Sequence, residues 1–208
     1  MITPRSIIPR IVFDFNDLRS IIIAAAMLVC AVACSAAAAK CASEKYKMNR
    51  SRTTAIFTLV TFAATCAMIL FYGTTATVIK GVVLTLILLY ASVEDLNTKE
   101  CPDYLHVMVL ITGFIGTNIS SIPWMALSAI FAGGIMLLTL LLTRSEIGGA
   151  DIKMATAASF TLGMTKGAIG LVAGMLLAVA FNIFKGDRKK GFPLIPYLAA
   201  GYIAAFII

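Results

Sequence analysis

Charged residues are scarce in this sequence. Only 13% of its 208 residues are charged and 60% are hydrophobic, whereas soluble domains average about 25% charged and about 45–50% apolar residues. A membrane span needs about 20 apolar residues, and the stretches between the apolar runs are short. We therefore predict a membrane protein in which nearly all of the mass lies in the bilayer, with no room for a separate soluble domain.

The sequence has few residues that could bind structural zinc, and its cysteines are badly spaced for such a site. The five cysteines include no CxxC pair, so a site with four thiolate ligands is not supported, and we expect neither a metal ion nor another cofactor. The single histidine, His106, is expected to hydrogen-bond to backbone or to a neighbouring helix. Modulation of a nearby acid pair is the alternative role for this residue.

The net charge of +7 does not indicate nucleic-acid binding. The basic residues fall in short blocks between hydrophobic runs, which is typical of loops that set membrane orientation. We therefore expect the lipid bilayer as a partner and no nucleic acid. The sequence gives no indication of the oligomeric state.

The apolar runs predict an all-α, polytopic membrane helix bundle with about eight spans, the acceptable range being six to eight. Residues 1–208 are interpreted as a single transmembrane domain. Lys80 lies near the start of the third span and is expected to extend toward the membrane interface, with a buried functional lysine as the alternative. The predicted spans are 21–39, 54–72, 75–93, 104–119, 124–143, 151–162, 168–184 and 193–208.

Basic residues predict the orientation of these spans. With eight spans, the loops after the first, third, fifth and seventh share one side of the membrane. With Lys153 at the start of the sixth span counted with the third of these loops, they contain five, one, two and four Lys or Arg residues, which is twelve of the seventeen in the chain. The positive-inside rule assigns this side to the cytoplasm. The predicted location is therefore the inner (cytoplasmic) membrane.

Two acids at the edges of apolar runs are the candidate catalytic residues. Asp95 follows the apolar run 77–93, and Asp151 lies shortly after the run 124–143. A carboxylate at mid-bilayer costs at least about 2.5–3.5 kcal/mol, so acids at such depths usually have a function. Both acids fall on the predicted cytoplasmic side, and a pair of carboxyls is the minimal apparatus for activating water against an amide.

The residues around these acids favour a built site over two unrelated loop charges. Gly148, Gly149 and Ala150 leave little side chain before Asp151, so the backbone can approach a neighbouring helix or a bound peptide. Pro102 is expected to start the helix that follows Asp95. In the competing interpretation, Asp95 and Asp151 are headgroup-level acids paired with Lys99 and Lys153.

Together these segments resemble the type IV prepilin peptidases, membrane aspartic proteases that are also related to archaeal preflagellin peptidases. The resemblance covers about residues 77–208. The family's first motif, an Asp followed by a polar stretch and Ile-Pro-Asn, is similar to Asp95-Leu-Asn-Thr-Lys-Glu-Cys101-Pro102-Asp103. Its Gly-x-Gly-Asp-x-Lys motif is similar to Gly148-Gly149-Ala150-Asp151-Ile152-Lys153, and its Pro-Phe-Gly-Pro segment to residues 192–197.

The resemblance implies that Asp95 and Asp151 are catalytic aspartates facing the cytoplasm. It also implies that the enzyme removes the short basic leader of prepilin-like precursors. Supporting roles fall on Gly148, Gly149, Ala150, Lys153, Pro102 and Asp103. Larger members carry a cysteine-rich zinc segment after the first span, where this chain has only the short loop 40–52, so it resembles the minimal form of the family.

Other charged residues near the motifs have two interpretations each. Lys153 either contacts lipid phosphate or orients the substrate and the acid. Glu94 and Glu146 either bind the basic leader of the substrate or are solvated loop charges. For the whole chain, the alternatives to a peptidase are a proton-coupled membrane transporter and a non-catalytic membrane assembly protein.

Overall fold

The computed structural model describes residues 12–143, 148–185 and 192–208, and all regular structure in these ranges is helical. This confirms the predicted all-α polytopic bundle. A one-turn 3-10 helix, Ile119–Ser121, precedes the fifth α-helix. The α-helices within the described ranges are α1 Leu18–Tyr46, α2 Arg50–Tyr72, α3 Ala76–Thr98, α4 Asp103–Thr112, α5 Ile122–Thr143, α6 Gly149–Leu162, α7 Met164–Lys185 and α8 Ile195–Ile207.

Long and short helices alternate in the second half of the chain. Five helices of the described ranges, namely α1, α2, α3, α5 and α7, are long and apolar enough to cross a membrane, so the protein is a multi-pass membrane protein. By contrast, α4, α6 and α8 have 10, 14 and 13 residues. At 1.5 Å per residue they extend for only about 15–21 Å, against about 30 Å of hydrocarbon.

Helix α4 is much shorter than the predicted span over 104–119. It stops at Thr112, and the chain continues through turns to Asn118. Gly116 has a φ of +62°, a left-handed conformation that a residue with a side chain rarely adopts. An apolar run of helical length therefore contains a turn, and the helix ends well before the run does.

The first two helices begin at side-chain caps. Asp17 accepts hydrogen bonds from the backbone N–H groups of Arg19 and Ser20 at 3.1 and 3.2 Å. Asn49 caps α2 in the same way, with its side-chain oxygen 3.1 Å from the Ser51 nitrogen. Short polar side chains at these positions satisfy amide groups that the helix itself leaves free.

The short helices α6 and α8 lie inside the bundle. Helix α8 packs against α3, α6 and α7, and α6 packs against α4, α5 and α7. A Cβ on Gly201 of α8 would lie 2.4 Å from the backbone nitrogen of Gly174 in α7, so this glycine allows the two backbones to touch. Tyr202 is fully buried, and its hydroxyl bonds to the Ala155 carbonyl and the Ser159 hydroxyl of α6.

Two lysines, Lys80 buried and Lys166 half-buried, mark the end of the bundle where α4 and α8 finish, which we term the lysine end. Lys80 does not extend to the interface as predicted, because it is 9% exposed and donates to the Gly113 carbonyl at 2.8 Å. Lys166 donates to the Phe206 carbonyl at 2.9 Å. Each ammonium group thus joins a neighbouring hydroxyl in satisfying a carbonyl at the end of a short helix within the membrane.

Candidate active site

Asp95 lies in the last turn of α3 and is buried, with 5% of its surface exposed. Helix α3 ends just beyond it, where Lys99 adopts a left-handed conformation with φ of 56° and donates its N–H to the Asp95 carbonyl at 2.9 Å. The Asp95 carboxylate turns away from this end, and its Oδ2 accepts the N–H of Ile195 at 3.0 Å. Asp95, the acid of the first motif, therefore contacts the segment 192–197, which lies about 100 residues later in the chain.

The sequence around Ile195 explains this contact. Leu194, at the N-cap of α8, has no side-chain oxygen, and Pro196, the second helical residue, has no N–H. The Ile195 N–H would be left without a partner in the interior, and Asp95 supplies the missing cap. Its carboxylate lies at the amide end of α8, where the helix dipole favours negative charge.

Asp151 is the third residue of α6 and is also buried, with 8% exposed. Its Oδ2 accepts the N–H of Gly148, the N-cap residue, at 3.2 Å. A Cβ on Gly148 would lie 3.2 Å from the same oxygen, which is a tight contact. Gly149 is exposed and has open space where a side chain would project.

The two acids share one buried environment. Asp151 lies within electrostatic range of Asp95. Cys101, 7% exposed in the loop between α3 and α4, lies within range of both acids. Neither acid has a basic partner among the described residues. The competing interpretation, in which Asp95 and Asp151 pair with Lys99 and Lys153, is therefore wrong for the described residues.

Lys153 instead joins the two motif segments to each other. Its Nζ lies 2.7 Å from Oδ1 of Asp103, so the start of α6 is tied to the start of α4. The ammonium beside it holds the pKa of the exposed Asp103 carboxyl below its usual range. Pro102 is the N-cap of α4, where its fixed φ sets the direction in which the helix leaves the loop.

His106 lies behind this ion pair. The imidazole is buried, and its Nδ1 is 3.7 Å from Oδ1 of Asp103, which is beyond hydrogen-bond distance. Neither ring nitrogen makes a hydrogen bond of good geometry to the described residues, although the backbone of Asp103 and of Ala150 in α6 lies close to the ring. Ala150, which occupies the usual glycine position of the motif, is half-buried and packs against the main apolar core.

Two contacts of the site were missed by the sequence interpretation. Glu94 is neither a solvated charge nor free for a leader peptide, because its buried carboxylate is bound by Lys45 and Tyr46 of α1. Glu146 lies outside the described residues. The N–H of Ile195 was missed as well. Two features of the sequence could have indicated these contacts. Lys45 and Glu94 fall on the same predicted side of the membrane, and Pro196 has no N–H, which leaves the N–H of Ile195 as the amide that needs an acceptor.

Residues 82–183 match the family model of the type IV leader peptidase family. Over this region, 102 of the 208 residues, the chain is similar to the type IV leader peptidase family. The match includes both acids and both motif segments, and it supports a peptidase over the transporter and the assembly protein. No curated protein and no solved structure matches the chain.

In the described ranges, the protein has no group of three or more His, Cys, Asp or Glu side chains that converges on a metal position. The matched region begins inside α3, so it leaves α1 and α2 unassigned.

Proposed function

We propose that this protein is a membrane-embedded aspartic endopeptidase whose catalytic residues are Asp95 and Asp151. Its substrates are prepilin-like precursors, from which it removes the short basic leader at the cytoplasmic face. The observation that carries the proposal is the pair itself. Two buried acids from helices far apart in sequence lie within electrostatic range of each other, and neither has a basic partner among the described residues.

Such a pair is suited to general acid–base chemistry. Two like charges about 4 Å apart repel by roughly 4 kcal/mol at an effective dielectric constant of about 20, so two close carboxyls hold one proton between them. The ionised carboxylate takes a proton from water while the protonated carboxyl donates to the scissile carbonyl. The resulting gem-diol collapses as a proton passes to the leaving amine.

The backbone donors leave one oxygen of each acid available. Ile195 and Gly148 each bond to Oδ2 of their acid, whereas Oδ1 of Asp95 and of Asp151 has no hydrogen bond to the described residues. The bound oxygens hold the carboxylates in place, and the other two are available to water and the peptide. Next to them, the exposed Gly149 leaves open space along the backbone, as an extended substrate strand requires.

The cytoplasmic orientation is supported by charge. Twelve of the seventeen Lys and Arg residues fall in the loops on the side that carries the two acids or in the helix ends beside them, and an excess of basic residues in and near short loops is typical of the cytoplasmic side. A precursor with a basic leader ahead of an apolar segment would present its cleavage point at this membrane edge.

The test is co-expression with a prepilin-like precursor, with leader removal measured by mass spectrometry of the mature N-terminus. We expect cleavage by the wild type and at least a 100-fold loss in Asp95→Asn and in Asp151→Asn, on the order of what removal of a general acid or base costs. Both variants should remain in the membrane. Glu100→Gln is the matched control, because this exposed acid lies in the same loop as the first motif. Normal processing by either aspartate variant would refute the assignment.

A further inference from the structure

Glu94, the neighbour of Asp95, is a buried charge with a complete set of partners. Its side chain is 2% exposed, and its Oε1 lies 2.6 Å from Nζ of Lys45. The Tyr46 hydroxyl donates to Oε2. Lys45 itself is nearly half exposed, so the contact extends from the surface into the interior. Such partners offset the cost of burying a carboxylate, and here both come from the last turn of α1.

The two adjacent acids of α3 contact different parts of the molecule. Successive side chains on an α-helix diverge by about 100° around its axis. Glu94 contacts α1, whereas Asp95 contacts the start of α8. Any rotation of the end of α3 that frees Glu94 from α1 therefore also turns Asp95 away from α8.

The end of α1 is held against the end of α3 by several further contacts. Helix α1 stops at Tyr46, and Lys47 closes it in a left-handed conformation with φ of 51°. Beneath it, the side chains of Ala42 and Val93 belong to one small buried cluster. Beyond it, the Asn97 amide of α3 approaches Sδ of Met48 at 3.6 Å. The last turns of both helices thus make polar and apolar contacts with each other.

We propose that Glu94, held by Lys45 and Tyr46, is a positioning residue for Asp95. It sets the rotation of the last turns of α3, and through them the direction of the Asp95 carboxylate. The proposal rests on the proposed peptidase function. It gives α1, which lies outside the region of the family match, a role in the reaction. Because both oxygens of Glu94 are occupied, it acts through Asp95 and not by contact with the substrate.

Steady-state kinetics of the purified full chain on a prepilin-like precursor test this role. In Glu94→Gln we expect kcat to fall about 10- to 100-fold with KM nearly unchanged, because displacement of a reacting group by about 1 Å costs up to about 100-fold. Tyr46→Phe should lower kcat less. The double variant should be no worse than Glu94→Gln, since both changes release one contact. Lys45→Arg, which keeps the charge, should retain most of the rate.

The matched controls come from the same helix. Lys40 and Glu44 form an exposed pair at 3.9 Å on α1, so Lys40→Met and Glu44→Gln remove a similar pair that does not reach α3. Neither should change kcat. An unchanged kcat in Glu94→Gln, or a rise in KM alone, would overturn the positioning role.

A measurement that does not depend on activity separates this inference from the proposed function. Backbone hydrogen exchange of residues 96–99 should be faster in Glu94→Gln than in the wild type and unchanged in Glu44→Gln, because the last turn of α3 loses its anchor. If the wild type cleaves no precursor, the proposed function fails. If it cleaves, Asp95→Asn does not, and Glu94→Gln matches the wild type in rate and exchange, only the positioning role fails.

Discussion

The two ends of the bundle place opposite charges against opposite helix termini. At the lysine end, Lys80 and Lys166 donate to carbonyls at the ends of α4 and α8. At the other end, which we term the acid end, Asp95 and Asp151 accept from amides at the starts of α8 and α6. The 15 residues from Lys80 to Asp95 place these ends about 22 Å apart along α3. One electrostatic rule thus applies at both ends.

The ends differ in what remains after the helix terminus is satisfied. Each lysine shares its carbonyl with a hydroxyl, that of Thr117 for Gly113 and that of Tyr72 for Phe206. Each aspartate instead lies within range of a second acid with no compensating base among the described residues. A lone charge at a helix terminus stabilises the fold, whereas two like charges at neighbouring termini are what the proposed acid–base function requires.

The largest expected effect on stability comes from the lysine end. The double variant Tyr72→Phe with Lys166→Met removes both side-chain donors to the Phe206 carbonyl. We expect it to lower the free energy of unfolding by about 1–3 kcal/mol, the typical cost of an unsatisfied buried group. Thermal unfolding in detergent measures the change, with the exposed Lys40→Met as the control. Precursor cleavage at low temperature should persist, and its complete loss in a folded variant would break the distinction between the two ends.

A smaller effect is expected from two substitutions of one acid. Asp95→Asn and Asp95→Ala both remove the carboxylate and should both be inactive. Only Asn keeps an oxygen that can accept the Ile195 N–H, so Asp95→Ala should be less stable than Asp95→Asn by about 0.5–2 kcal/mol, the cost of losing a helix cap. Unfolding in denaturant compares the two. Equal stability would mean that Asp95 does not act as the cap of α8.

The smallest effect is expected where the acid end is exposed. The Lys153 ion pair lowers the pKa of Asp103, so this carboxyl contributes stability at neutral pH and loses it as the pH falls through its lowered pKa. Asp103→Asn should therefore lower the melting temperature slightly at pH 7 and not at all in strong acid. Thermal scans of both proteins across this range measure the difference. A difference in melting temperature between the two proteins that grows as the pH falls would contradict this predicted pH dependence.

Much of the fold was accessible from the sequence because the bilayer imposes a simple length rule. The predicted third and fifth spans, 75–93 and 124–143, lie within or close to the observed α3 and α5. The acids Asp95 and Asp151 were found because charges at the ends of apolar runs are conspicuous. Their assignment as catalytic residues stays a prediction, since neither the geometry nor the family match tests it.

The features that were missed depend on contacts between distant helices. Hydropathy cannot indicate that α4 stops at Thr112, because the turn after it is as apolar as a helix. It cannot indicate that Lys80 bends inward, since that depends on the Gly113 carbonyl lying within reach. Burial of Glu94 depends on α1 delivering Lys45 and Tyr46 to the same place. In each case tertiary structure decides, and no local pattern contains the information.

The capping of α8 by Asp95, a residue of α3, has a consequence for the order in which the chain folds. The Ile195 amide has its acceptor 100 residues earlier in the chain, and domains emerge from the ribosome N-terminal part first, at about 5–20 residues per second. Asp95 is therefore synthesised roughly 5–20 s before the helix whose start it completes. When α8 packs against α3, its first amide therefore meets an acceptor that is already present, so docking of α8 and completion of its N-terminal cap are a single event.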